Sequence, residues 1–392
     1  RWRLIKSLIK LLLIGISSIY KRRYIFFGAT GRHSEISGKI YDLYNGRIIN
    51  EKGRHNFVII EEVNDKSQKV FKPDIYLDDI APLHRRIKKF IIRKFILDFE
   101  GYAQSTIDAY PDFIISKQEI IEIMTKFYTR FYLSKWLLKL LNPRSAFLIC
   151  HYGREYFIAA CKVNKIHLVE LMHGHINRQH YFYHYPKNYS KYFERSLFPD
   201  KLAVYGEYWR ELILKDNIYP PESVITIGYY LCVNDSLNKS ATTNKKIILI
   251  SSQPMVQREL CNYVNFLSTR INPHEWKIII KPHPKGDKIG FSNVLKPGFI
   301  ELSFTSIYDL LSIASIHIGV FSTVTYEAIR YKLDNYVLIA NRYLSECNEI
   351  IASGVAKPLK PWQIPDLSTK KDLSKNASYF FSEYDPKILF NT

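Results

Sequence analysis

The chain alternates short apolar runs with longer helical stretches, and it does so in two series along its 392 residues. Short runs rich in β-branched and aromatic residues, each followed by a loop and a helical stretch, are typical of parallel strands joined by crossover helices. The first series predicts strands at 24–27, 57–60, 146–150, 166–171 and 201–205, and the second at 247–250, 276–280, 299–302, 316–320 and 336–339. Residues 117–141 predict one long helix.

A polar stretch at 234–244, with the composition of a flexible linker, separates the two series. The sequence therefore predicts an α/β protein of two doubly wound Rossmann-like domains that face each other across a cleft. The N-terminal domain is expected at 24–233, and the C-terminal domain with its terminal helices at 245–392. Ligands bind at the carboxyl ends of the strands in such sheets, so we expect the site between the domains.

A formal charge of +19 indicates an anionic partner. Residues 1–23 hold seven cations and no acid around an apolar run, which is too short for a bilayer span of about 20 residues. They predict a basic amphipathic helix on an anionic membrane; the alternative is a first helix packed on the protein. A second basic cluster at 84–95 predicts a helix whose charged face is solvated or faces lipid or acceptor. Neither cluster carries a nucleic-acid-binding motif, so no such partner is expected.

Two predicted strand ends in the second series carry groups suited to phosphate. The first leads into Lys281 and His283, in a loop that Pro282 and Pro284 stiffen. The second leads into Ser322 and Thr323 at the start of a helix, where N–H groups and hydroxyls favour an anion; the alternative is an ordinary helix cap. Three further residues are assigned to the donor: Glu327 one helical turn along, and Ser252 and Gln253 after strand 247–250, where a helix cap is again the alternative.

Lys281-Pro282-His283-Pro284, followed by residues 321–328 (FSTVTYEA), resembles the His-Pro and Ser-Ser/Thr motifs of a group of bacterial enzymes. These are GT-B glycosyltransferases that build capsules and lipopolysaccharide, including sialyl-, polysialyl- and Kdo transferases, and the related CDP-glycerol glycerophosphotransferases. The resemblance covers residues 170–340. It implies a GT-B fold and donor phosphates contacted by His283, Ser322 and Thr323.

Residues 169–176 (VELMHGHI) are similar to a Glu-x-x-His-Gly stretch of the same enzymes, with Met172 where those enzymes often have Gln. The substitution is expected to remove one polar contact. An inverting transfer needs a general base in the first domain. His173 is assigned this role, with Glu170 and Glu155 as alternatives, and Glu170 is also considered as the group that orients the histidine. Arg32, His33 and His180 are assigned to the acceptor.

Neither metal nor cofactor is expected. The four histidines at 173, 175, 180 and 184 have no acidic or cysteine ligand at a matching spacing, and the five cysteines form no metal-binding motif. Widely spaced cysteines in odd number favour a reduced cytoplasmic compartment. The leaving nucleotide would then be stabilised by protein groups alone.

The predicted function is transfer of a sugar from a nucleotide-activated donor to a growing bacterial surface polysaccharide or lipid-linked glycan. A CMP-linked donor is favoured, with UDP, GDP and CDP as the other options. The predicted location is cytoplasmic, peripheral on the inner face of the plasma membrane. Three alternatives stay open: a polyol-phosphate transferase using a donor such as CDP-glycerol, a sugar-nucleotide 2-epimerase, and a basic module that binds lipid or nucleic acid.

Overall fold

A computed structural model describes residues 5, 9, 12, 13, 24–28, 33–36, 39–61, 71–112, 114–185, 197–215, 219–231, 245–283, 289–368 and 377–391. Arg32, the linker 234–244 and most of the predicted helix 1–23 lie outside these residues. Within 1–23, positions 5, 9, 12 and 13 are helical.

The first domain is built on a parallel sheet. Its strands are β1 (Tyr24–Phe27), β2 (His33–Ile36), β3 (Lys39–Asp42), β4 (Phe57–Glu61), β5 (Ile75–Tyr76), β6 (Ser145–Ile149), β7 (His167–Leu171), β8 (Lys201–Val204) and β9 (Val224–Thr226). Seven of them pair in parallel in the order β5-β4-β1-β6-β7-β8-β9, whereas β2 and β3 form an antiparallel hairpin. This hairpin is an element that the sequence did not predict.

The second domain carries its own parallel sheet. Its strands are β10 (Lys246–Ser251), β11 (Trp276–Lys281), β12 (Ile300–Leu302), β13 (Ile316–Gly319), β14 (Asp334–Leu338) and β15 (Lys357–Leu359), in the order β12-β11-β10-β13-β14-β15. All ten strands predicted from the apolar runs are present, with bounds that differ by two residues at most.

Helices connect the strands and cover the sheets. They are α1 (Gly46–Lys52), α2 (Ala81–Ala109), α3 (Lys117–Leu141), α4 (Glu155–Val163), α5 (Glu207–Leu214), α6 (Gln257–Ser268), α7 (Ile307–Ile313), α8 (Thr323–Glu327), α9 (Leu344–Ser353), α10 (Ala377–Phe380) and α11 (Pro386–Phe390). The predicted helix 117–141 is confirmed as α3, which begins at a capping box between Ser116 and Glu119. The basic cluster 84–95 lies in α2.

Alternation along the strands divides the core of the first domain between the two faces of its sheet. Phe26 and Tyr24 pack on one face, while Ile25 and Phe27 pack on the other. The apolar cluster that contains Phe26 continues into the second domain without a break. The two domains are therefore joined by a shared apolar core.

The end of the chain packs on the first domain, although the sequence placed it with the second. Gly206 and Gly228 allow the backbone of residues 379–384 to lie so close that an added Cβ at either glycine would come within 2.6 Å of it. The Ser382 amide donates to the Tyr205 carbonyl, 2.9 Å away. The ring of Phe390 packs on the β1 residue Tyr24, with the ring centroids 4.9 Å apart. Burial of these aromatic side chains brings the last helices to the first sheet.

The predicted fold class is confirmed: two Rossmann-like domains with parallel sheets meet at a junction. In the described part of the chain, no helix combines the length and apolar character needed to cross a membrane.

Candidate functional site

The two domains touch where the carboxyl ends of β7 and β13 meet. The His175 amide, in the loop after β7, donates to the Thr323 hydroxyl at the start of α8, and the N···O distance is 2.8 Å. Gly174 lies so close that an added Cβ would be 3.0 Å from the same hydroxyl oxygen. The His-Gly and Ser-Thr motifs, 148 residues apart in the sequence, therefore form one site.

Ser322 stands directly before α8 in an extended conformation. Its side chain does not cap the helix, and its Oγ is buried without a hydrogen-bond partner. A buried hydroxyl normally finds a partner, so an unsatisfied one at a domain junction is suited to a ligand. The geometry therefore does not favour an ordinary helix cap at Ser322.

Gln253 lies beside Ser322 at the end of β10. Its side-chain amide donates to the Phe321 carbonyl, while its Oε1 is buried without a partner. Ser252 is buried, and its backbone amide donates to the Lys281 carbonyl, 3.0 Å away. The structure thus places the ends of β10, β11 and β13 side by side, as the strand order requires.

Lys281 and His283 follow β11 at the same edge of the second sheet. The Lys281 ammonium donates to the Phe304 carbonyl at 3.0 Å, and both side chains are partly exposed. Residues 284–288 lie outside the described residues.

Glu327 lies deeper than the other residues assigned to the donor. Its carboxylate is buried and accepts hydrogen bonds from the hydroxyls of Tyr229 at 2.5 Å and Tyr308 at 3.3 Å. Burial raises the pKa of this carboxyl, although both hydroxyls and Arg330 oppose the shift. Glu327 therefore ties Tyr229, shortly before the linker, to Tyr308 of the second domain. This placement does not favour the predicted donor contact.

His173, the predicted base, is held at both ring nitrogens. Nδ1 lies 3.3 Å from the Cys150 sulfur, and Nε2 lies 3.2 Å from the Tyr152 hydroxyl. The Tyr44 hydroxyl donates to the His173 carbonyl at 2.6 Å. Cys150 has a φ of 66°, which is rare for a residue with a side chain and brings its sulfur to the histidine. The geometry fixes the orientation of the imidazole.

Glu170, considered as the group that orients His173, is paired with another histidine. Its carboxylate is fully buried and accepts from the His151 ring at 2.8 Å and from the Tyr183 hydroxyl at 2.6 Å. Burial alone would raise the pKa of this carboxyl, but the electrostatic interaction with His151 and these hydrogen bonds hold the pKa below its ordinary value. The pairing follows from the register, since Leu148 of β6 lies opposite Glu170 of β7. Glu170 thus orients His151.

Glu155 begins α4 and is partly exposed, and its carboxylate accepts from the Gly153 amide at 2.8 Å. Met172 is fully buried in the shared apolar core. The expected loss of a polar contact at this position stays a prediction.

Two more histidines of the loop after β7 are largely buried. Burial lowers the pKa of His175 to about 3 and also lowers the pKa of His180. Both rings are therefore neutral at physiological pH. The Nδ1 of His180 is buried without a partner, near the aromatic rings of Tyr183 and Tyr152. His180 thus lies close to Tyr152, the residue whose hydroxyl contacts His173.

His33, assigned to the acceptor, lies beside the carboxyl end of β4, two strands from β6 in the same sheet. Its Nε2 is 3.4 Å from a Glu61 carboxylate oxygen at the end of β4. Ligand atoms of His33, Glu61 and Asp42 lie within 4.8 Å of one another, so among the described residues this trio is a set that could hold a divalent cation. Tyr44 connects the trio to the site, because its amide donates to Asp42 at 2.9 Å while its hydroxyl reaches the His173 carbonyl.

Sequence reasoning missed four residues at this junction: His151, Tyr152, Tyr44 and Glu61. A signal existed for the first two, since they follow β6 directly and strand ends of neighbouring β6 and β7 lie side by side. Tyr44 and Glu61 belong to the region around the unpredicted hairpin.

No protein-family model and no curated protein sequence matches the chain. Among solved structures, S. aureus MnaA in a co-structure with UDP superposes with a TM-score of 0.54 and 12% identity, over 94% of this chain and 93% of that chain. A putative UDP-N-acetylglucosamine 2-epimerase from Listeria monocytogenes superposes with a TM-score of 0.54 and 10% identity, over 94% of this chain and 92% of that chain. CalG4, the calicheamicin glycosyltransferase, superposes with a TM-score of 0.49 and 9% identity, over 92% of both chains.

The first two likenesses extend over both domains, at identities that carry the fold alone. The chain has the GT-B fold, with two Rossmann-like domains facing each other. The residues at the junction between the domains are therefore the basis for any statement about its chemistry.

Proposed function

We propose that the chain is a glycosyltransferase that moves a sugar from a nucleotide-activated donor to a bacterial surface polysaccharide or lipid-linked glycan. The observation that carries the proposal is the contact between the His175 amide and the Thr323 hydroxyl. It joins the two motifs that resemble capsule and lipopolysaccharide enzymes, and it does so at strand ends of a GT-B fold. Two separate sequence signals thus converge on one place.

Donor phosphates would bind at the second-domain edge of the junction. Lys281 and His283 bring cationic or hydrogen-donating groups, and the Ser322 hydroxyl and Gln253 oxygen are buried there without partners. Ser322 is suited to donate to a phosphate oxygen, and Gln253 Oε1 to accept from a hydroxyl or amine of the donor. These groups would stabilise the departing nucleotide without a bound metal.

His173 is the proposed base for an inverting transfer. As the bond between the sugar and the phosphate breaks, the acceptor hydroxyl attacks the anomeric carbon and its proton passes to an imidazole nitrogen. Nε2 is the candidate atom, because it already lies within hydrogen-bond reach of a hydroxyl, that of Tyr152. An acceptor hydroxyl would bind in place of that contact.

Nucleotide binding is the first test. We expect CMP to raise the melting temperature most, and UDP, GDP and CDP belong in the same scan. Ser322→Ala should abolish the shift at unchanged stability, since the hydroxyl has no partner to lose. Ser292→Ala, at an exposed serine of the same domain, is the matched control. A full shift in Ser322→Ala would contradict the phosphate site.

Radiolabelled donors then distinguish the reaction. Incorporation of sugar into a glycan or lipid-linked acceptor supports the proposal, whereas incorporation of a polyol phosphate from CDP-glycerol would make the chain a polyol-phosphate transferase. Conversion of UDP-N-acetylglucosamine without any acceptor would instead identify a 2-epimerase, the activity named for the Listeria structure of similar fold.

The proposed location is the cytoplasmic face of the bacterial plasma membrane. Residues 5, 9, 12 and 13, which the structure describes as helical, have exposed apolar side chains. Their spacing places them on one side of the helix, as a membrane-facing segment requires. Weaker vesicle binding in Ile9→Glu/Leu13→Glu than in the wild type would support this role, and unchanged binding would argue against it.

A further inference from the structure

A helical hairpin interrupts the first domain between β5 and β6. It consists of α2 and α3, and it has a small apolar core of its own, formed by Ile91, Phe99, Ala103, Ile120 and Ile121. This core holds one side of α2 against α3. The opposite side of α2 has residues exposed along its length.

Cations and large apolar side chains share that exposed side in the first half of α2. Phe90 is 52% exposed and Leu97 is 78% exposed. Arg86 and Arg93 are also exposed, and they stand four residues before Phe90 and Leu97, respectively. Positions 86, 90, 93 and 97 follow a helical repeat and form one stripe, which we call the α2 stripe. Exposed cations flank it on both sides: Lys89 on one and Lys94 on the other.

The charge of the hairpin changes along its length. Acidic residues replace the cations toward the turn between the helices, beginning with Asp98 and Glu100 and continuing with Asp108 and Asp112. The exposed cations of α2 are therefore confined to the half that lies nearest the sheet. Uniform solvation of a surface helix does not account for this division, nor for a leucine with 78% exposure at its boundary.

We propose that the α2 stripe docks on an anionic lipid membrane. Apolar side chains flanked by cations can enter the boundary between headgroups and acyl chains while the cations stay among the phosphates. Each cation near such a surface contributes about 1 kcal/mol. A polyanion such as RNA would use the cations, but it would gain nothing from the aliphatic side chain of Leu97.

This surface goes beyond the proposed sugar transfer and does not depend on it. It is also distinct from residues 1–23 in sequence, because α2 spans Ala81–Ala109. A membrane-bound first domain would present the protein to lipid-linked molecules, and docking itself is measured without any donor or acceptor.

Sedimentation with phosphatidylcholine vesicles, with and without phosphatidylglycerol, tests the proposal on the full chain. Ile9→Glu/Leu13→Glu serves as the background, so that the first residues add little to binding. We expect binding only to vesicles with phosphatidylglycerol. Phe90→Glu/Leu97→Glu and Arg86→Glu/Arg93→Glu should each weaken it by at least about tenfold, since two favourable contacts are lost in each.

Matched controls lie on α3. Ile123 is 58% exposed, so Ile123→Glu introduces one such charge at a similar exposure outside the stripe. Lys117→Glu/Lys139→Glu reverses two exposed cations elsewhere on the hairpin. Both controls should bind as the background does, and circular dichroism should be the same for all variants. Equal losses in controls and stripe variants, or binding that RNA competes away and Phe90→Glu/Leu97→Glu leaves unchanged, would overturn the proposal.

Discussion

The backbone amide of His175 in the first domain donates a hydrogen bond to the side-chain hydroxyl of Thr323 in the second. The predicted phosphate contact Thr323 is thus engaged by the other domain, while its neighbour Ser322 has a buried hydroxyl without a partner. The two adjacent hydroxyls therefore have different parts: Thr323 joins the domains, and Ser322 is placed to meet a ligand.

Thr323→Val should destabilise the protein by about 1 kcal/mol, because valine leaves the His175 amide without its acceptor. Urea unfolding measures this change. Thr305→Val, at an exposed threonine of the same domain, should lie within experimental error of the wild type. A Thr323→Val protein as stable as the wild type would mean that the contact between the domains contributes nothing.

Gly174→Ala should strain the same contact, since the new methyl group would lie 3.0 Å from the Thr323 hydroxyl oxygen. Removing that oxygen makes room, so Thr323→Ala should partly rescue Gly174→Ala. The double-mutant cycle should give a coupling of about 1 kcal/mol. Gly101→Ala is the control: its methyl group meets nothing within 4 Å, and alanine favours the helix. Additive effects at 174 and 323 would contradict the close approach.

The strands, and the loops that follow β11 and β13, could be predicted because their signals are local. Apolar runs fix the strands, and residues that follow parallel strands must gather at one edge of the sheet. Lys281 and Ser322 were found in this way, and they do follow neighbouring ends of the second sheet.

Pairings that depend on strand order were beyond the sequence. Glu170 contacts His151, because β6 lies next to β7 in a register that no local pattern encodes. The return of Phe390 to the first sheet has the same origin, since it depends on a surface built some hundreds of residues earlier. Whether a strand-end side chain faces the junction or the core, as for Met172, also depends on the tertiary packing.

Glu170→Gln should destabilise the protein by about 3 kcal/mol, because it breaks a buried pair and leaves His151 without its carboxylate. Denaturation at pH 7 measures the loss. Glu155→Gln, at a partly exposed carboxylate, should cost far less. A Glu170→Gln protein that folds as stably as the wild type but has lost activity would return Glu170 to the candidate bases.

His317 should make the protein sensitive to mild acid. It is buried in β13, where Ser251 and Asn335 contact its two ring nitrogens at 2.8 and 2.7 Å. Burial lowers its pKa to about 4, against an ordinary value near 6.5. Between these values the unfolded chain binds a proton that the folded one does not, so stability falls as the pH drops from 6.5 to 4, by up to about 3 kcal/mol.

Urea unfolding of wild type and His317→Gln at several pH values from 7.5 to 4.5 isolates this contribution. The variant starts from a lower stability at neutral pH but should lose less on acidification, because glutamine does not titrate. His55→Gln, at an exposed histidine, should keep the wild-type slope. Parallel pH profiles for wild type and His317→Gln would mean that the buried imidazole is protonated as readily in the folded protein as in the unfolded chain.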